Sequence, residues 1–221
     1  MIRRDRYEFD AVLFDLYDTL VWSNLPPCPD RLSTRIGVTE ETLRRAFDIT
    51  GPSRHVGAFG SAEGDMAAIL RACEVEAGSD FIRDLTLHHL AFLMRNGVQL
   101  YDDTLPVLRK LRSCGIKTAI ISNCDHWTRS VLTALPLEEE VDEIILSFEV
   151  GLKKPEAEIY RLSLDRLAVR PQRAVFVDDQ SEYCKAARAL GIRPHLIVRN
   201  LGISDPDDGR YQIIHRLDEL L

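Results

Sequence analysis

A chain of 221 residues holds one domain, or one domain carrying an inserted subdomain. Its 45% hydrophobic content is that of an ordinary globular core, and its net charge of −7 argues against a nucleic-acid binder, which usually shows a basic patch. No apolar run approaches the roughly 18 residues of a membrane span. The opening MIRRDRYEFD lacks the apolar stretch and cleavage site of a signal peptide. The five cysteines (Cys28, Cys73, Cys114, Cys124 and Cys184) form no C-x-x-C pair, which fits reduced thiols in a cytosol. The expectation is a cytoplasmic protein, monomer or homodimer, with neither nucleic acid nor membrane as partner.

The predicted elements begin with a strand at Ala11–Phe14, a short run apolar on every residue, as a strand covered on both faces should be. After it, 22–97 offers no strand candidate, far too long for an ordinary connection. Within it 39–49, 65–77 and 80–94 read as helices, the first opened by Thr39 and the acids Glu40 and Glu41. The intervening GPSRHVGAFGSAEG at 51–64 reads as a Gly-rich mobile loop or plain surface connection. Beyond it Leu105, Leu108 and Leu111 recur at helical spacing and Gly115 stops them. Strands follow at 117–121, Glu143–Leu146, 174–177 and 195–198. They alternate with a helix opened by Pro155 and another over 181–190 stopped by Gly191. Strands alternating with helices imply a parallel, doubly wound α/β sheet. Residues 1–21 and 98–221 form this core, and 22–97 is a helical insertion.

Chemistry-bearing residues gather at the expected strand ends, where parallel sheets bind ligands. FDLYDTL at 14–20 puts Asp15 just past the first strand. Ser122 and Asn123 follow the second, and a hydroxyl there can donate to an anion. GLKKP at 151–155 sets Lys154 directly before a helix start, which favours anions. Asp178 and Asp179 end another strand, and hard cations such as Mg²⁺ take such oxygen ligands. Each piece alone is an ordinary turn, cap or solvated residue. Together, in this order, they describe a phosphate-sized pocket with a nucleophile, a hydroxyl donor, a cation and a divalent-metal site.

The four motifs resemble those of the haloacid dehalogenase superfamily over nearly the whole chain, and the insertion resembles its C1-type helical cap on a Rossmann-like core. The resemblance implies Asp15 as nucleophile, with Ser122 and Lys154 holding the transferred group. Thr19 and Asn123 would complete the phosphate site, and Thr19 would bond within the first motif. Asp15, Asp179 and the Tyr17 backbone carbonyl would ligate Mg²⁺, with Asp178 as a supporting carboxylate. The implied activity is Mg²⁺-dependent hydrolysis of a small phosphorylated metabolite.

Two positions depart from the family's phosphatases. Tyr17 stands where they carry the acid that protonates the leaving group, and it is similar instead to the D-x-Y-G-T of L-2-haloacid dehalogenases. Its neighbour Asp18 reads as a turn residue, with an acid catalyst as the alternative. Tyr183 stands where relatives often place Asp or Asn near the metal, and could simply cover its helix. A dehalogenase is therefore the second reading. It needs a cationic carboxylate and halide site, for which Arg44, Arg45 or Arg54 are candidates, each more simply a surface charge. A non-catalytic binding protein on this fold is the third.

Overall fold

In a computed structural model, residues 7–23, 32–199 and 211–221 are described. Six parallel strands form one sheet: β1 (Ala11–Phe14), β4 (Lys117–Ser122), β5 (Glu143–Leu146), β6 (Ala174–Asp178), β7 (Arg193–Ile197) and β8 (Gln212–Ile214). Their order is β5-β4-β1-β6-β7-β8, so β1 lies between β4 and β6. Alternation along β1 feeds two cores. Ala11 and Leu13 join Ala119, Ile121 and Phe176 under α8 (Ala157–Leu167) and α9 (Ser181–Ala189). Val12 and Phe14 join Ile120, Val175 and Val177 under α5 (Thr104–Ser113) and α6 (Trp127–Ala134). Side chains alternate across a strand, so a sheet covered on both faces needs apolar residues at every position. The fold is the Rossmann-like α/β architecture expected, and among the described residues no helix is long and apolar enough to cross a membrane.

A second, two-stranded antiparallel sheet pairs β2 (Val21–Ser23) with β3 (Val98–Leu100). Between them lie α1 (Leu32–Ile36), α2 (Glu40–Arg54), α3 (Ala62–Ala72) and α4 (Ser79–Phe92). These helices share a core of Leu43, Met66, Ile69, Leu70 and Leu85, which Trp127 enters from α6. Three-residue strands paired 75 or more positions apart leave no local pattern, so β2 and β3 escape sequence reading, as does β8.

Two expectations are corrected. Residues 51–54 are not loop, because α2 runs through Gly51 and Pro52 to Arg54. Leu43, Ala46, Thr50 and Arg54 recur at helical spacing and are all buried. This packing overrides the two breakers, and the amide of His55 still reaches the Gly51 carbonyl at 2.9 Å. Pro155 does not open α8. A turn closed by Glu156 N–H to the Lys153 carbonyl at 2.9 Å intervenes, and the helix starts at Ala157.

Candidate active site

The register places the strand ends side by side. Phe14 is level with Ile120 on β4 and with Val177 on β6, so Asp15, Ser122 and Asp178 all emerge on one edge. Asp15 is tied down by its backbone N–H to the Val177 carbonyl at 2.9 Å. The chain then turns tightly. Leu20 and Val21 both donate to the Leu16 carbonyl at 2.9 Å, and Asp18 donates to Val21 at 2.7 Å. These bonds do not use the Tyr17 carbonyl. Asp18 adopts φ 54, the left-handed conformation that Asp tolerates better than most residues, and its side chain faces solvent.

Lys154 is the pivot. It is 2% exposed, and its ammonium donates to Asp15 Oδ1 and to Asp178 Oδ2, each at 2.6 Å. Burial alone would pull its pKa down, but Asp15 and Asp178 reverse this and hold it above the ordinary lysine value. Asn123 fixes the backbone around it: its Oδ1 accepts the Lys154 N–H and its Nδ2 donates to the Lys154 carbonyl, both at 2.8 Å. The Asn123 side chain, expected among the phosphate-binding groups, is thus committed to the lysine loop. Asp178 likewise faces Lys154 and the Gln180 N–H (2.8 Å), a different placement from the supporting metal carboxylate expected. Burial pushes its carboxyl up to about 7, against the pull of Lys154.

Two hydroxyls remain open. Ser122 Oγ and Thr19 Oγ1 are buried and have no hydrogen-bond partner among the described residues. Buried donors without partners are uncommon, and each can serve a ligand. Thr19 therefore does not bond within the first motif as expected. Its carbonyl instead accepts from Arg199, whose guanidinium also binds Asp103 at 2.7 Å and lies over Tyr101. Arg199 and Asp103 were not recognised from sequence, where they look like surface charges.

Asp179 is half-buried, and burial with repulsion from Asp15 and Asp18 pushes its carboxyl up to about 6. No salt bridge reaches it among the described residues. Asp15, Asp179 and the unused Tyr17 carbonyl are hard oxygen donors of the kind Mg²⁺ takes. No group of three or more His, Cys, Asp or Glu is arranged for a metal among the described residues.

Tyr17 and Arg54 belong to a seam between α2, α3 and the segment after Ser122. Tyr17 Oη lies 3.2 Å from Thr128 Oγ1, and burial raises its pKa well above the ordinary phenol. Arg54, expected at the surface, is 4% exposed. It pairs with Asp125, donates to Thr50 Oγ1 and the Phe47 carbonyl (3.1 Å each), and stacks on Phe47 and Trp127. Beside it Asp65, fully buried on α3, meets His126 Nδ1 at 2.8 Å. Arg44 and Arg45 are exposed, as a surface charge should be. Cys124 is buried and its thiol is pushed up to about 12, so it stays protonated.

The strand-end carboxylates, the lysine between them and the free hydroxyl gather on one edge of the sheet. The chain belongs to the haloacid dehalogenase-like hydrolases, whose family profile matches residues 9–191. A phosphatase of Mycobacterium tuberculosis is 30% identical over 132 residues, which cover 58% of each protein. The (S)-2-haloacid dehalogenase 1 of a Pseudomonas species is 35% identical over 100 residues, 45% of this chain and 44% of that enzyme. The match thus spans little more than half of the one relative and less than half of the other. Among solved structures, a HAD phosphatase from Thermococcus onnurineus superposes with a TM-score of 0.69 at 25% identity, covering 96% of this chain and 95% of that one.

Proposed function

We propose that this hydrolase is a Mg²⁺-dependent phosphatase of a small phosphorylated metabolite, with α1–α4 as the cap that selects the substrate. The observation that carries the reading is Asp179. It stands beside Asp15 and Asp18 without a salt bridge among the described residues, while Lys154 is held between Asp15 and Asp178. Crowded carboxylates repel one another unless a cation sits among them.

A carboxylate oxygen of Asp15 attacks phosphorus in line, the bond to the leaving oxygen breaks, and an aspartyl-phosphate forms. Ser122 Oγ donates to a phosphoryl oxygen, and the third N–H of Lys154 to another. Mg²⁺, held by Asp15, Asp179 and the Tyr17 carbonyl, would supply charge neutralisation at the phosphoryl oxygens. Water then cleaves the acyl phosphate, releasing inorganic phosphate and restoring Asp15. Tyr17 gives no general base near neutral pH, so the leaving group takes its proton from solvent.

The test is phosphate release from an aryl phosphate with Mg²⁺ and with chelator, beside chloride release from 2-chloropropionate. Activity should need the metal, and Asp15→Asn should remove at least about 10³-fold of it, as loss of a covalent nucleophile does. Full-rate chloride release in chelator would give the dehalogenase reading, which Tyr17 at the acid position favours. Against it, Arg54 is already bound to Asp125.

A further inference from the structure

Tyr183 lies on the first turn of α9, at the position where an acid or amide was expected near the metal. Its ring covers Lys154, with the ammonium 4.9 Å from the ring centroid. Phe176 presents a second ring to the same ammonium at 5.6 Å. The Tyr183 hydroxyl receives Asn123 Nδ2 at 3.3 Å, and that Asn123 amide brackets the Lys154 backbone from both sides. The Tyr183 carbonyl is in turn held by Tyr160 Oη at 3.1 Å, so the ring stands on a buried base. Lys154 is thus boxed by two carboxylates, two aromatic faces and one amide.

A lysine ammonium is a compact charge on a flexible four-carbon stem. Its three donors must point correctly, and only two are fixed by Asp15 and Asp178. An aromatic face attracts a cation through its quadrupole and accepts no proton, so it confines the ammonium without competing for the third donor. An Asp at 183 would act differently. It would be a third anion beside the lysine, drawing it off the line between Asp15 and Asp178.

We propose that Tyr183 is the positioning residue for Lys154, an aromatic lid that aims its free N–H at the transferred group and takes the place of an acidic partner. The proposal rests on the phosphatase reading for what Lys154 contacts in turnover, though not for where Lys154 sits.

The experiment uses Tyr183→Phe, Tyr183→Leu and Tyr183→Met in the full chain. Met keeps the buried bulk should the Leu variant fail to fold, and Lys154→Met assigns the signal. Lysine ε-methylene protons are followed by NMR, and aryl phosphate turnover is measured with Mg²⁺. In wild type the Lys154 ε-protons should lie upfield because of the ring. Leu and Met should move them toward the ordinary lysine position and lower kcat about tenfold with KM within about twofold. Tenfold corresponds to about 1.4 kcal/mol, within the usual span for a desolvated cation on a ring. Phe should keep both readouts near wild type.

The proposal is overturned if the ε-protons stay put in Leu and Met, or if kcat there is unchanged. It is also overturned if Phe is as damaged as Leu, since the hydroxyl would then be the active part. A wild type that hydrolyses no phosphate ester refutes the phosphatase reading alone, because the NMR arm still reads the lid.

Discussion

Arg54→Met tests the seam between the helices α2 and α3 and the strand-end edge of the sheet. The side chain is 5% exposed and its partner Asp125 18%, so the pair is buried rather than superficial. Removing one partner of a buried pair costs about 3–5 kcal/mol, since the other charge is left uncompensated. The bonds to Thr50 and the Phe47 carbonyl go as well, and their loss is part of that cost. For a chain of this length 1 kcal/mol moves Tm by about 2–4 °C, so a fall of roughly 6–20 °C is expected. Burial already pushes the Asp125 carboxyl up while Arg54 pulls it down and Asp65 adds to the rise. Without Arg54 the folded carboxyl titrates still higher than the unfolded one. The folded state then binds more protons, and stability falls as pH rises above the unfolded value of about 3.9. The loss should therefore be larger at pH 8 than at pH 5, measured by thermal unfolding at both. Exposed Arg44→Met should change little, and adding Asp125→Leu to Arg54→Met should restore part of the loss. A Tm within 2 °C of wild type at both pH values, or a larger loss at pH 5, would refute the buried pair as the fastening of the seam.

Two further outcomes follow from single side chains. Tyr17→Asp should raise hydrolysis of alkyl phosphates by at least about tenfold relative to aryl phosphates, because general acid help is worth roughly 10²–10⁴-fold and aryl leaving groups depart unaided. If wild type is already efficient on alkyl phosphates and the variant abolishes this, the phenol or Asp18 takes part in the chemistry. His195 is buried, and burial and then Arg193 lower its pKa to about 4 from an ordinary 6.5. The folded state thus binds fewer protons than the unfolded one between these values. Stability is full above about 6.5 and falls toward pH 4, by up to about 3 kcal/mol at 1.36 kcal/mol per unit. His195→Gln should flatten that slope in chemical unfolding across pH 4–7, and an unchanged slope would place the titrating group elsewhere.

The core was legible because burial on both faces writes apolar runs into β1, β4 and β6, and because Asp15 follows β1 while Ser122 and Asp178 end β4 and β6. Lys154 was legible only as a residue type; that it binds two carboxylates depends on the turn at 151–156, which has no local signature. The seam was illegible for a different reason. Arg54 and Asp125 lie 71 positions apart, Asp65 and His126 61 apart. Each reads as a surface charge until α2 and α3 pack against the segment after Ser122. Gly51 and Pro52 misled in the same way, since their local preference for a turn yields to the buried face from Leu43 to Arg54. Tyr183 needed the opposite correction: as a covering aromatic it looked inert, and only the 4.9 Å approach of Lys154 gives the ring something to act on.

The charges at the strand ends bear on the choice between phosphate and haloacid. Asp15, Asp18, Asp178 and Asp179 are four carboxylates, and among the described residues Lys154 is the one ammonium hydrogen-bonded among them. Two of the four are held by that ammonium, and of the pair left over Asp18 is exposed and Asp179 half-buried. Either anionic substrate would be repelled there unless a second positive charge came with it. The haloacid reading would look to a nearby guanidinium, but the Arg54 guanidinium is bonded to Asp125, and freeing it would bury an unpaired carboxylate. The phosphate reading looks to an ion for which Asp15, Asp179 and the Tyr17 carbonyl are suitable donors. The same carboxylates that repel the substrate alone would then hold the cation that admits it.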